Sequence, residues 1–249
     1  MVTSGFGEHP GGYAPEVRPK ILDHVALWVE DRGPIVDFVT KHLGMHVISE
    51  TDRFTLVGSH ARRGKLTLFL ADGERERGAL EHVAFRVTDL GAAVEALPEG
   101  FEVESSRVGE VYFDVAEGLR LGLVEAPTDV EYDLDHVALR SAAPSATADA
   151  YEPLGFRPAA PGLSEAPRVE VGGAYVEFHD GDPGDPEQPL LNHLAVLVDS
   201  ADEHLEDAEE LGVEVADVVD AENTYAVFVW GPERVKIEYV EQKPTFSLT

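Results

Sequence analysis

The hydrophobic and polar positions of the chain follow one pattern that occurs four times. A short apolar segment, rich in Val and Leu, carries one histidine at a constant place. Its copies lie at residues 22–28, 80–86, 134–140 and 191–197, so the histidines are 58, 54 and 57 residues apart. A repeat of this length indicates four copies of one supersecondary unit. Each copy has the length and composition of a β-strand, in which the histidine shares a face with the residues two positions away.

Each of these strands is followed by a stretch with helical periodicity and then by short apolar runs separated by polar turns. Three of the helices are predicted to end at Leu-Gly pairs, with Gly44, Gly155 and Gly212 as the closing residues. Ser200 and Glu203 have the spacing of a capping box at the start of the fourth helix. The order predicts an α+β fold of four βαβββ modules, paired into two domains of curled mixed sheets with helices outside.

A polar break that contains proline, at residues 126–129, separates the second module from the third. We therefore predict that neighbouring modules pair, with residues 19–127 as the N-terminal domain and residues 128–242 as the C-terminal domain. Residues 1–18 are predicted to be a loose arm without the features of a signal peptide, and residues 243–249 a loose tail. No segment approaches the roughly 20 apolar residues that span a bilayer. We expect a soluble, cytoplasmic protein that is a monomer or homodimer.

The composition excludes several partners and chemistries. Forty-eight acidic and nineteen basic residues give a formal charge of −29, which repels nucleic acid and anionic membranes. The chain has no cysteine, so its chemistry must use histidine, carboxylate or hydroxyl groups. An acidic surface with few lysines is also expected of a protein that works in concentrated salt. A high-GC mesophile with an acidic composition is the alternative.

Two carboxylates make the repeated histidines candidates for metal ligation. Glu177 and Glu238 lie in the last strands of the third and fourth modules, each between apolar neighbours. In a strand, such a residue points away from its neighbours, here towards the histidine face. A metal held by two imidazoles also takes carboxylate ligands. The alternative is that both residues face solvent on amphipathic strands. The first two modules are expected to place Leu68 and Gly122 at the corresponding positions.

With these modules and residues the chain resembles the vicinal oxygen chelate superfamily. That superfamily contains glyoxalase I, extradiol ring-cleaving dioxygenases, fosfomycin-modifying transferases and bleomycin-binding resistance proteins. The resemblance extends from about residue 20 to residue 241. It implies one divalent metal ion, Zn, Ni, Fe or Mn, in a cleft between paired modules, with four ligands: His136, Glu177, His193 and Glu238. His24 and His82 would be remnants or walls of a second cleft, because Leu68 and Gly122 cannot coordinate a metal.

The resemblance also implies a small substrate that binds through two vicinal oxygens, whose developing enediolate-type charge the metal stabilises. A second carboxylate ligand would fill a position that the dioxygenases keep open, and Phe228 stands near the place of their acid-base tyrosine. We therefore expect a glyoxalase-like lyase or isomerase with Glu177 or Glu238 as the base. An extradiol dioxygenase is the first alternative. A ligand-binding or resistance protein without a metal is the second.

Four residues are expected to contact the substrate. Arg140 shares the face of His136 and could bind an anionic group, as an arginine at the same spacing does in glyoxalase I. His179 follows Glu177 by two residues and could move protons at the mouth of the cleft, or be a solvated turn residue. Phe228 and Trp230 could form an apolar wall, or belong to the core.

Overall fold

The computed structural model describes residues 19–162 and 164–249. The arm expected at residues 1–18 lies outside these residues. The described chain forms two eight-stranded mixed sheets with four α-helices and two short 3₁₀ helices. The predicted α+β class with paired βαβββ modules is confirmed. Within the described ranges, no helix is both long and apolar enough to cross a membrane.

The four modules contain the following elements. The first has β1 (Ile21–Val29), α1 (Gly33–His42), β2 (His46–Glu50), β3 (Phe54–His60) and β4 (Arg63–Leu70). The second has β5 (Leu80–Val87), α2 (Leu90–Glu95), β6 (Glu104–Arg107), β7 (Glu110–Asp114) and β8 (Arg120–Glu125). The third has β9 (Asp133–Ser141), α3 (Pro144–Tyr151), β10 (Arg157–Ala159), β11 (Arg168–Val171) and β12 (Ala174–Asp180). The fourth has β13 (Leu191–Val198), α4 (Ala201–Leu211), β14 (Val215–Asp220), β15 (Thr224–Trp230) and β16 (Lys236–Gln242).

The helix ends follow the sequence signals. The Ser200 side chain accepts a hydrogen bond from the Glu203 backbone N–H at the start of α4, which satisfies one of the free donors of the first turn. Gly212 ends the same helix in the left-handed conformation, with φ 68°, where a residue without Cβ avoids strain. Gly155 has the same role after the 3₁₀ turn that follows α3. Strand β10 was not predicted, since its three residues carry no apolar pattern.

The modules pair in an order that differs from the expected one. Strand β1 lies antiparallel to β13, and β5 lies antiparallel to β9. One sheet therefore has the order β14-β15-β16-β13-β1-β4-β3-β2 and joins the first module to the fourth. The other has the order β10-β11-β12-β9-β5-β8-β7-β6 and joins the second module to the third.

This pairing corrects the division into residues 19–127 and 128–242, which assumed that neighbours in sequence pair. The first strands of all four modules have the same pattern of apolar residues, so this pattern does not determine which two modules pair. Packing across the whole molecule selects one arrangement, and a single contiguous apolar cluster contains residues of all four modules. The tail also departs from the expectation, because the backbone N–H groups of Lys243 and Ser247 donate hydrogen bonds to Asn223 at 3.0 and 3.1 Å.

Candidate metal centre

The sheet of the first and fourth modules brings two histidines and one glutamate together. In the β1–β13 ladder, His24 lies opposite Ala195 and His193 lies opposite Ala26. On the other side of β13, Ala195 lies opposite Glu238 of β16. Residues that are directly opposite each other have their side chains on the same face of the sheet. His24, His193 and Glu238 therefore lie on one face, and each histidine has an alanine as its cross-strand neighbour. The small alanine side chains leave space above the sheet into which the longer side chains converge.

The ends of these three side chains are close to one another. Nε2 of His24 lies 3.2 Å from Nε2 of His193, and Oε2 of Glu238 lies 3.1 and 2.9 Å from the two nitrogens. Glu238 Oε2 is buried and has no hydrogen bond of acceptable geometry. A buried carboxylate oxygen without such a partner is costly, and a cation between the three atoms would satisfy it. Across the described residues this is the one group of three potential ligand atoms at such spacing.

The other nitrogen of each imidazole is occupied by the residue that precedes it. His24 Nδ1 donates to Asp23 Oδ1 at 2.7 Å, and His193 Nδ1 donates to Asn192 Oδ1 at 3.2 Å. A β-bulge between Leu22 and His24 brings Asp23 to the histidine. Because Nδ1 keeps its proton, a neutral imidazole here carries its lone pair on Nε2, so both rings present the nitrogen that a metal needs once the proton on His24 Nε2 is displaced.

The charges in the cluster depend on one another. Burial disfavours the charged form of His24, but the Glu238 carboxylate and the hydrogen bond to Asp23 outweigh it and raise the pKa of His24 to about 9. Burial opposes the charged form of Glu238 too, yet the imidazoles of His193 and His24 hold its pKa well below the usual range. For His193 burial prevails and lowers the pKa. The cluster thus retains a positive charge beside Glu238, and a bound metal ion would take the place of that proton.

Aromatic side chains surround the cluster. The Phe228 ring lies 5.1 Å from the His193 ring, and the Phe69 ring lies 6.1 Å from it on the other side. Trp230 lies opposite Lys236 in the β15–β16 ladder, and Lys236 lies opposite His193. His193 and Glu238 are 3% and 7% exposed. The walls therefore keep bulk water from His193 and Glu238. The substrate contacts expected of Phe228 and Trp230 stay predictions.

The second sheet repeats this arrangement with different chemistry. His82 lies opposite Ala138, and Ala138 lies opposite Glu177. His82 Nε2 is 2.9 Å from His136 Nε2, close enough for one imidazole to donate to the other. The Tyr112 ring covers Gly122, where an added Cβ would lie 2.6 Å from the ring. The protein's own side chain therefore fills the place from which the last strand of the second module would contribute a ligand.

Glu177 does not join the two histidines of its sheet in a ligand cluster. Ser164 Oγ donates to Glu177 Oε2 at 3.0 Å, and the Arg168 guanidinium lies 3.4 Å from Oε1. His179 Nε2 lies 3.5 Å from Oε2. Burial would raise the pKa of Glu177, but these partners and the nearby His136 lower it to about 2. Glu177 is thus a carboxylate held by the protein's own groups.

These positions correct the expected ligand set of four. His193 and Glu238 lie together in one sheet, whereas His136 and Glu177 lie in the other, because the third and fourth modules do not pair with each other. The structure brings His24 to His193 and Glu238, although the sequence reasoning gave His24 no metal role. Asp23 before His24 is a sequence signal for an oriented imidazole, but Asp135 before His136 is the same signal, so it does not select between the two histidines.

The position expected for Leu68 is also corrected. In the β1–β4 ladder, Ala26 lies opposite Thr67, and Leu68 lies opposite Leu27 in the apolar core. Thr67 therefore occupies the place that corresponds to Glu238. Gly122 does lie opposite Ala84, as the spacing predicted. Thr67 is not a carboxylate, so the cluster between the first and fourth modules has three strong ligands and not four.

Two of the expected substrate contacts lie away from this cluster. Arg140 extends from β9, with its Nε 3.9 Å from Glu81, and lines a recess of about 780 Å³ beside the acidic loop at residues 182–188. His179 Nδ1 lies 3.1 Å from the same Glu81. The carboxylates of Glu177 and Glu81 stabilise the protonated imidazole and raise the pKa of His179 to about 9. Both residues therefore belong to the cleft of the second and third modules.

Comparison with known proteins agrees with this architecture. Residues 21–108 match the family model described as the Glyoxalase/Bleomycin resistance protein/Dioxygenase superfamily. A provisionally named dioxygenase from Bacillus subtilis is similar in structure, with a TM-score of 0.75, 18% identity and coverage of 92% of this chain and 87% of that one. Glyoxalase I from Zea mays has a TM-score of 0.69 and 15% identity, with 92% and 94% of the chains covered. The search of curated proteins found no match.

The cppA protein from Streptococcus pneumoniae is similar over 91% of this chain and all of its own, with a TM-score of 0.57 and 13% identity. At these identities the structural likeness concerns the fold. The family match covers the first module and most of the second, and the other two modules repeat the same unit. The resemblance seen in the sequence is thus confirmed: residues 21–108 match the Glyoxalase/Bleomycin resistance protein/Dioxygenase superfamily, and the described chain has the fold of four repeated modules.

Proposed function

We propose that the protein is an enzyme that holds one divalent transition-metal ion with His24, His193 and Glu238 and acts on a small substrate with two adjacent oxygen atoms. The observation that carries this proposal is the convergence of two imidazole nitrogens and an unsatisfied buried carboxylate oxygen within 3.2 Å of one another. Two imidazoles and one carboxylate suit Zn, Ni, Fe or Mn. A bound ion of this kind would polarise the substrate oxygens as a Lewis acid.

The spacing of the three atoms favours an open site. Adjacent ligand atoms about 2.1 Å from an ion are about 3.0 Å apart in an octahedral arrangement and about 3.4 Å apart in a tetrahedral one. The observed separations of 2.9, 3.1 and 3.2 Å are closer to the octahedral value. Three ligands on one face of an octahedron leave positions for two substrate oxygens and a further ligand. This is the 2-His-1-carboxylate arrangement of non-haem iron oxygenases.

We therefore place a ring-cleaving dioxygenase first among the reactions. The expectation of a lyase or isomerase depended on Glu177 and Glu238 at one metal, and Glu177 lies in the other sheet. The glyoxalase-like reaction stays the second candidate for one reason. Phe228 packs against His193 near the place where extradiol dioxygenases have an acid-base tyrosine, and a phenyl ring cannot transfer a proton.

The residues of the cleft have separate tasks in either reaction. Asp23 and Asn192 keep the two imidazoles in the ligating tautomer, and the aromatic walls exclude water from the reacting oxygens. For the isomerase, Glu238 would also have to accept the proton next to the substrate carbonyl, which would weaken its hold on the ion. The cytoplasmic location, the monomeric or homodimeric state and the lack of nucleic-acid and membrane partners stay predictions.

The metal site is tested by comparing His193→Ala with its matched control, His136→Ala. Each variant removes one of a facing pair of imidazoles, but in different sheets. We expect the wild type and His136→Ala to retain about one equivalent of divalent metal after dialysis, and His193→Ala to lose it. Wild-type protein that retains no metal after loading would instead support the metal-free binding class. Equal loss in both variants would contradict the assignment of the site.

The reaction is tested with two loaded samples. Protein loaded anaerobically with ferrous iron is mixed with catechols in air, and protein loaded with nickel or zinc is mixed with a hemithioacetal. Yellow ring-cleavage product in the first sample alone would support the dioxygenase. Turnover in the second sample alone would reverse the preference in favour of the isomerase.

A further inference from the structure

Lysine is rare in this chain, and the structure gives nearly every lysine an acidic partner. The chain has five lysines against 48 acidic residues. Four of them form ion pairs: Lys20 with Asp199, Lys41 with Asp37, Lys65 with Asp23 and Lys243 with Asp220. Lys236 differs from the rest, because within residues 19–162 and 164–249 no carboxylate oxygen lies at ion-pair distance from its ammonium group.

Lys236 lies beside the proposed metal ligands. It is opposite His193 on one side and opposite Trp230 on the other, so these three side chains share the face of the sheet that carries Glu238. Its Nζ lies 5.6 Å from the centre of the Trp230 ring, over which the Arg234 guanidinium also lies, at 4.7 Å. The side chain is half-buried. A cation is thus held against an aromatic surface next to the ligand cluster.

An ammonium group that is half-buried without an ionic partner loses hydration that the contact with the Trp230 ring replaces only in part. In a protein of charge −29, a partner carboxylate would be easy to supply, as the four other lysines demonstrate. We propose that the substrate supplies the missing anion, and that the protein acts on a small carboxylate-bearing molecule whose two vicinal oxygens reach the ion while its carboxylate pairs with Lys236. This inference rests on the proposed function.

The surroundings favour a single negative charge on the substrate. Glu238 and Asp217 lie in the adjacent row of the sheet, on either side of Phe228. A dianionic group such as a phosphate monoester would be repelled by both carboxylates, with one ammonium to offset it. Phe228 and Trp230 supply apolar surface for the part of the molecule between the oxygens and the carboxylate. A flat, aromatic or unsaturated carboxylic acid with adjacent oxygens meets these conditions.

The test compares two probes that differ by one carboxylate. Catechol and 3,4-dihydroxybenzoate present the same pair of oxygens, and their dissociation constants for the zinc-loaded protein are measured by calorimetry without oxygen. Lys236→Met is compared with Lys41→Met, which removes the same charge from the exposed Lys41–Asp37 pair on α1. We expect the wild type to bind 3,4-dihydroxybenzoate more tightly. Lys236→Met should lower the ratio of the two constants about tenfold, as expected for the loss of one charge-assisted contact, and Lys41→Met should leave it unchanged.

The outcomes separate this inference from the proposed function. Lys236→Arg keeps the positive charge and should retain most of the preference for 3,4-dihydroxybenzoate over catechol. If Lys236→Met does not fold, the same ratio is measured for Lys236→Arg. If the zinc-loaded wild type binds both probes equally, or if Lys236→Met keeps the wild-type ratio, the role of Lys236 is refuted while the metal site stands. If the wild type retains no zinc and binds neither probe, the proposed function fails and this inference fails with it.

Discussion

The Asp23→Asn variant removes one carboxylate charge from beneath His24 while it preserves the size of the side chain. Asp23 is 2% exposed and has two partners. Its Oδ1 lies 2.7 Å from His24 Nδ1 and 2.8 Å from Lys65 Nζ, and Lys65 is buried as well. The substitution therefore acts on the proposed metal ligand and on a buried ion pair, and the two effects can be measured separately.

The expected magnitudes follow from these contacts. Loss of a carboxylate that orients a metal-bound imidazole weakens metal binding by about 10- to 100-fold, or about 1.4 to 2.7 kcal/mol. Lys65 loses its ionic partner and keeps only neutral acceptors, the Ala61 carbonyl at 3.0 Å and the amide oxygen of the new side chain. A buried ammonium without its partner costs about 3–5 kcal/mol of unfolding free energy. The double variant Asp23→Asn, Lys65→Met should recover most of this stability, since it removes the buried charge, yet keep the weakened metal binding.

Zinc affinity is measured by competition with a chelator, and the unfolding free energy of the metal-free protein by urea titration. Asp135→Asn is the matched control, because Asp135 makes the same 2.7 Å contact with His136 Nδ1 in the other cleft and pairs with Arg86 at 2.7 Å. It should reduce stability and leave zinc affinity unchanged. Wild-type zinc affinity in Asp23→Asn, or an equal loss of affinity in Asp135→Asn, would refute the reasoning.

Three further predictions concern the second cleft and the surface. Gly122→Ala should destabilise the protein by about 1–3 kcal/mol in urea unfolding, because its Cβ would lie 2.6 Å from the Tyr112 ring, and by less in a Tyr112→Ala background. Glu177 and Glu81 raise the pKa of His179 to about 9 in the folded protein. The contribution of this protonation to the unfolding free energy is therefore complete below pH 6.5 and is lost as pH rises through about 9. The difference in unfolding free energy between the wild type and His179→Gln should therefore shrink between pH 6 and pH 10. Molar KCl should raise the melting temperature, since it screens a net charge of −29.

Each of these has an outcome that contradicts it. An equal cost of Gly122→Ala with and without the Tyr112 ring would mean that the ring does not occupy that space. A constant difference for His179→Gln across the pH range would mean that its protonation is not linked to folding. A melting temperature that does not respond to KCl would favour the high-GC mesophile over the salt-adapted host.

The repeated histidine strands and the Leu-Gly helix ends determine much of this fold locally. Each module forms from its own periodicity, and Gly212 and Ser200 have the cap roles that their residue types favour. The face of the sheet on which the Glu238 side chain lies is also predictable from the sequence. Side chains alternate between the two faces of a strand, and the apolar neighbours of Glu238 occupy the opposite face. These features depend on residues a few positions apart, whose geometry the backbone itself dictates.

The resemblance to the superfamily, the βαβββ modules and the residue types that could ligate a metal are therefore all readable from the sequence alone. The partner of each module was decided only in the tertiary structure. His24 and His136 occupy equivalent strands with nearly the same neighbours, so no local pattern says which of them meets His193. That choice arises from packing between strands more than 150 residues apart, where burial across all four modules outweighs any preference for neighbours in sequence.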